Sequence, residues 1–168
     1  MNDMKQFDME SFFYLLNEDE KKLVMERMHK ESFSMGEYVF KEDDTGKRLY
    51  VVGKGAISLI KSIGNDLDKT ILIAPEGSIF GEFSFIDGGT RSASALVTVD
   101  TVLLSLDRED FDALIKQFPA IGTKLYNNLL LTVTQRIRRT SAANWKTIDA
   151  RKFSRASGVG KSVRIEVQ

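Results

Sequence analysis

The spacing of apolar residues changes twice along the chain. Over residues 8–30 they recur at helical intervals: Phe12, Leu15 and Leu16, then Leu23, Val24 and Met28. Between the two groups stands Asn17-Glu18-Asp19-Glu20, a capping residue followed by acids, where a second helix is expected to begin. From Phe33 to Leu106 the period shortens to that of strands, in runs such as EYVF, RLYVVGKGAISLIK, KTILIA, SASALVTV and TVLLSL. Turn material separates the runs at Asp43-Asp44-Thr45-Gly46, Gly64-Asn65-Asp66 and Pro75-Glu76-Gly77. After Asp107-Arg108-Glu109-Asp110 helical spacing returns. Pro119 and Gly122 divide it into a short helix near 108–117 and a longer one near 120–140. On the longer helix Tyr126, Leu130, Val133 and Ile137 form one apolar stripe, beside Leu125 and Leu129. Many short strands flanked by helices predict an α+β domain, mainly β. The expected form is an antiparallel β-roll, jelly-roll-like, with helices before and after it. The chain then divides into four segments: helices in 1–32, a roll in 33–106, helices in 107–140 and a tail in 141–168.

Composition narrows the chemistry. The chain of 168 residues has no cysteine and one histidine, His29, so disulfides, iron–sulfur clusters and cysteine nucleophiles are excluded. A metal site or a Ser–His triad has almost no material, and none is expected. Neither a signal peptide nor an apolar run long enough to span a bilayer is present, so the expected compartment is the cytoplasm, with no membrane partner. The net charge of zero hides an asymmetry. Residues 1–20 carry six acids against one lysine, whereas residues 136–168 carry nine Lys/Arg against Asp149 and Glu166. The tail is either a solvated segment or a surface for nucleic acid or an acidic partner. Its RASGVGKS, residues 155–162, is not a P-loop: Arg155 stands where the first glycine is required, and RKFSR is too polar for the preceding buried strand. A short strand at Val163-Ile165-Val167 fits the alternation there better.

One stretch between strands is unlike the rest. Residues 81–95 read GEFSFIDGGTRSASA. Phe83 to Ile86 suffices for one helical turn, and Gly81 before it lets an anion approach the unsatisfied N–H groups. Gly88-Gly89 turns the chain back, so that Arg91 can bring a guanidinium fork to the same spot. Small residues come next, Ser92 to Ala95, leaving room against the strand. A phosphate would repel Glu82, so its carboxylate suits a sugar hydroxyl pair instead. Arginine for phosphate and glutamate for ribose describe a nucleotide.

This segment resembles the phosphate-binding cassette of cyclic nucleotide-binding domains, which occur in catabolite activator-type transcription factors, kinase regulatory subunits and gated channels. The frame around it is similar as well. Ser34 to Phe40, Leu49 to Gly55 and Pro75 to Gly81 match the strands leading to the cassette (80–97), and Leu106 to Phe111 matches the start of the exit helices. The resemblance covers roughly residues 10–140. It implies that Glu82 holds the ribose 2′-hydroxyl and that Arg91 pairs with the exocyclic phosphate oxygens. The backbone of Gly81, Phe83, Ser92 and Ala93 completes the cradle, and Leu59 and Ile71 flank the sugar or base. Arg136, on the long helix, falls at a base-contacting position in an ungapped comparison. Ser92 is compatible with either purine; cAMP is favoured over cGMP. No cofactor and no catalysis are implied. A protein partner would meet the C-terminal helix or the basic tail, and the apolar stripe packs on the roll or joins two copies as a homodimer. A DNA-binding module needs more than the 28 residues after the long helix, so direct DNA binding is not expected. The alternatives are a receiver domain of a larger signalling protein or transcription regulator, and a metal-dependent enzyme on a cupin-like roll.

Overall fold

Asn17 caps a helix at the place where one was expected to begin. Its side chain accepts the Glu20 N–H at 2.9 Å while the Glu20 carboxylate accepts the Asn17 N–H at 2.9 Å, a reciprocal cap. The computed structural model describes residues 12–64 and 67–156, with side chains described to residue 139. Within it α1 spans Glu18–Met25, followed by β1 His29–Phe33, β2 Tyr38–Phe40, β3 Arg48–Ser62, β4 Asp68–Pro75 and β5 Ile79–Phe80. Then come α2 Glu82–Asp87, β6 Ser94–Asp107, α3 Arg108–Gln117 and α4 Pro119–Ala156. Residues 12–15 form a turn rather than a helix. The proposed strand at 163–167 and the turn residues 65–66 lie outside the described residues.

The strands make one antiparallel sheet in the order β1-β6-β3-β4, with β2 also on β6 and β5 on β3. Its spine is the pairing of β3 with β6, which runs from Arg48↔Asp107 to Ile60↔Ser94. Three register shifts between Val52 and Ile57 bend this pair, as bulges do when a long ribbon must curl into a roll. Gly55 sits among them with φ +96, where a Cβ would come within 2.4 Å of Thr101 Oγ1 and 2.8 Å of the Asp100 carbonyl. Alternation on β3 sends its side chains into two cores. Leu49 and Val51 face a helix-side core with Phe85, Phe111, Leu114 and Leu125. Tyr50 and Val52 face the roll interior with Phe80, Ala93, Ala95 and Leu103.

The structure departs from the sequence reading at three places. His29–Phe33 is a strand, not the end of a helical segment, because it pairs residue for residue with Thr101–Ser105; ladder hydrogen bonds outweigh a weak helical period in HKESF. The roll thus begins at 29. SASALVTV and TVLLSL are one strand: Asp100 lies within β6, and its side chain takes the Met35 N–H at 2.9 Å. The third departure concerns α4, which runs to Ala156 rather than ending near 140. Its buried side is Ile121, Leu125, Asn128, Leu129 and Thr132, whereas Tyr126, Leu130 and Ile137 of the expected stripe are exposed. That face packs into the helix-side core through Ile121, Leu125 and Leu129, and the Asn128 amide on it donates to the Phe12 carbonyl at 2.9 Å. Packing divides the chain after Val133 into a unit holding the roll and its helices and a second unit from Thr134. Among the described residues no helix is long and apolar enough to cross a membrane.

Candidate functional site

The six residues of α2 lie between two left-handed glycines, Gly81 (φ 75) and Gly88 (φ 73). The first breaks β5 into the helix; the second ends the helix with its N–H on the Ser84 carbonyl at 3.0 Å. A Cβ at Gly81 would meet Arg91 Nη1 at 2.6 Å, so glycine is needed there for space as well as for its backbone angle. Beyond Gly88 the chain returns along the β2–β3 loop. The Arg91 N–H donates to the Asp44 carbonyl and the Asp43 N–H to the Arg91 carbonyl, both at 2.9 Å, while Thr45 and Thr90 form a bridge. The backbone of Arg91 is therefore clamped on both sides.

Its side chain is 3% exposed. Nη1 donates to the Gly81 carbonyl at 2.9 Å and to Ser84 Oγ at 2.8 Å. The guanidinium lies 4.2 Å from the Phe40 ring centroid and 5.7 Å from that of Tyr50, a cation–π seat. Nε is buried and has no hydrogen-bond partner among the described residues. Burial pulls the guanidinium below its ordinary pKa; Tyr50, Asp44 and Glu82 oppose that pull. Even so, an arginine at this depth keeps its charge, and a buried donor without a partner is costly unless something accepts from it. Glu82, the first residue of α2, is 1% exposed.

The other expected residues are distributed around this pair. Phe83 is partly exposed on α2, as is Ile86. Ser92 is exposed and its carbonyl accepts Lys61 Nζ at 3.0 Å. Ala93 and Leu59 are buried together in the roll interior. Ile71 falls where the β3–β4 register slips, between the Leu59↔Leu72 and Ile60↔Thr70 pairs, and is 51% exposed. Arg136 stands on the continuation of α4 in the second unit.

Sequence reasoning passed over several participants. Ser84 binds Arg91, and the adjacent rings of Phe40 and Tyr50 lie against its guanidinium; the alternation that buries Tyr50 was legible, its role was not. Glu42 ties the hairpin β3–β4 to the cassette, taking Lys61 Nζ at 2.6 Å and the Ser62 N–H at 3.0 Å. Those two donors, Lys61 first, hold the Glu42 carboxyl below its ordinary value. Arg108, the first residue of α3, donates to the Phe85 carbonyl at the end of α2 (3.0 Å), to Asp112 (2.9 Å) and to the Tyr126 hydroxyl (3.5 Å). It links the cassette helix to both following helices.

Known proteins resemble this chain in sequence and in fold. The cyclic AMP receptor protein of Thermus thermophilus is 33% identical over 126 residues, 75% of this chain and 56% of that protein. Human cGMP-dependent protein kinase 2 is 27% identical over 136 residues, 78% of this chain and 18% of the kinase. The crystal structure of Thermus thermophilus catabolite activator protein superposes with a TM-score of 0.73 at 31% identity, over 85% of this chain and 63% of that one. The chain spans about half the length of the bacterial relative. Residues 30–118, the roll with its cassette and α3, match the cyclic nucleotide-binding domain, and the chain belongs to that family.

Proposed function

We propose that this chain is a non-enzymatic sensor of a cyclic mononucleotide, with cAMP preferred over cGMP. The observation that carries the reading is Arg91: a buried guanidinium with an unpartnered Nε, seated beside a glycine-opened helical turn and a buried glutamate. A cyclic phosphate supplies the acceptor oxygens that such a fork suits. Gly81, Phe83, Ser92 and Ala93 line the backbone approach, Glu82 takes the ribose 2′-hydroxyl, and Leu59 and Ile71 flank the sugar or base. Arg136 is proposed as a contact to the purine. The relatives include proteins named for each of the two nucleotides, and Ser92 accommodates both. The fold could also carry a metal-dependent enzyme, but the cassette residues have the chemistry of binding rather than of turnover.

Ligand binding acts by shifting a population. The phosphate draws α2 and Arg91 together, and α4 repacks, presenting or hiding a surface for a protein partner or a second copy in the cytoplasm. Direct binding of DNA by this chain is not part of the proposal. Titration calorimetry with cAMP, cGMP and a cyclic dinucleotide tests it. One of the two mononucleotides should bind saturably, and Arg91→Ala should weaken that binding by about 2–4 kcal/mol, the scale of losing one partner of a buried charged contact. Equal affinity in a folded Arg91→Ala variant would remove Arg91 from the site.

A further inference from the structure

The strand that replaces the expected helix at β1 carries the chain's one histidine to an unexpected place. His29 opens β1 opposite Ser105, close to where β6 passes into α3. Its Nε2 lies 3.8 Å from Asp107 Oδ2 and 3.8 Å from Asp110 Oδ2. Together the three donor atoms lie within 4.8 Å of one another. Asp107 precedes α3 and Asp110 is in its first turn, where helix polarity favours carboxylates. Asp107 nevertheless makes no cap hydrogen bond from its side chain, so its oxygens are turned elsewhere.

We propose that His29, Asp107 and Asp110 form a binding site for a divalent transition-metal ion, outside the nucleotide cassette and independent of it. One imidazole nitrogen with two carboxylate oxygens is a donor set for zinc, cobalt or nickel rather than for magnesium or calcium. Ligand bonds of about 2.1 Å place tetrahedral donors about 3.4 Å apart. Rotations of three partly exposed side chains provide the contraction this requires, and water completes the coordination.

Charge argues in the same direction. Around the site stand three carboxylates, Asp107, Asp110 and Glu31, against one guanidinium, Arg48. Arg48 grips Asp107 with two bonds (Nε to Oδ1, 3.0 Å; Nη2 to Oδ2, 3.1 Å) and reaches Glu31 at 3.2 Å. Ser105 donates to the same Glu31. Among the groups joined by these contacts carboxylates outnumber guanidinium groups, and a divalent ion reduces that excess. Arg48 also orients the Asp107 carboxylate, the usual task of an outer partner at a metal site. The same bond to Oδ2 competes with the ion, so binding should be moderate. Because the three ligands come from the start of β1, the end of β6 and the start of α3, an ion here would fasten the roll to its exit helices.

The full-length chain and zinc chloride provide the test. As the sole histidine, His29 gives ring-proton NMR signals without ambiguity. The expected results are one ion per chain by calorimetry, a shift of the His29 resonances that saturates with zinc, and a higher melting temperature. Asp110→Asn, at a half-buried helical position, should weaken binding about tenfold or more, as should His29→Ala. Zinc that leaves the His29 resonances unmoved, or that binds Asp110→Asn as tightly as the parent, overturns the site. Neither outcome bears on Arg91 or on nucleotide binding.

Discussion

Arg91 tolerates its burial because its neighbours surround the guanidinium with oxygens and rings, and that crowding makes Gly81 part of the same device. The Gly81→Ala methyl would fall 2.6 Å from Nη1 and 3.2 Å from the Arg48 carbonyl, at a backbone φ of +75. Gly36 has an equally unfavourable φ of +90 but nothing within 4 Å of an added Cβ. Alanine at either position should therefore cost about 1–2 kcal/mol of stability from the left-handed backbone. Only Gly81→Ala should displace Arg91 and weaken cyclic nucleotide binding as well. Thermal denaturation and calorimetry on the two variants separate the effects. If both bind alike, the Gly81–Arg91 contact is not what shapes the cradle. This pair shows how far sequence reasoning reaches at one residue. The need for glycine before the turn and for arginine after it follows from their chemistry. That Ser84, Phe40 and Tyr50 complete the seat depends on register shifts and loop returns that no local pattern encodes.

At the scale of elements, periodicity located α2, α3, β2, β3 and β4 to within a residue or two, yet chose the wrong face of α4. That helix is apolar on two sides. The Tyr126–Leu130–Ile137 row is the more regular, but burial follows Ile121, Leu125 and Leu129, which join the core of Phe12, Phe111 and Leu114. Leu125→Ala should accordingly cost about 2–4 kcal/mol, whereas Leu130→Ala should stay within about 0.5 kcal/mol. Chemical denaturation of the two variants decides it; reversed costs would restore the sequence-based stripe. The misread β1 has a similar origin. Five residues with exposed or half-buried side chains carry little periodic signal, and their conformation is dictated by pairing with β6, far along the chain.

For the molecule as a whole, the question is how a phosphate at residues 81–93 could be felt beyond the roll. Arg108 offers the physical connection. Its guanidinium holds the carbonyl of Phe85 on α2, pairs with Asp112 on α3 and reaches Tyr126 on α4, with the Phe85 and Phe111 rings beneath it at 5.5 and 5.8 Å. A small rotation of α2 must either carry Arg108 along or break the bond to Phe85, and both alternatives disturb the α4 segment around Tyr126. α4 continues to Ala156, and under the proposed coupling altered packing of its first turns changes the stability of its later ones. Saturating cyclic nucleotide should therefore change amide exchange over residues 119–156 as well as in the cassette. Arg108→Ala, which leaves the bonds of Arg91 to Gly81 and Ser84 in place, should keep affinity within a few fold and greatly reduce the change over α4. Exchange measured by mass spectrometry with and without ligand, in both proteins, tests each half. If α4 exchange is indifferent to ligand in the parent, binding is confined to the roll. If it responds equally in the variant, the connection runs through the apolar contacts of Phe85 and Phe111 instead.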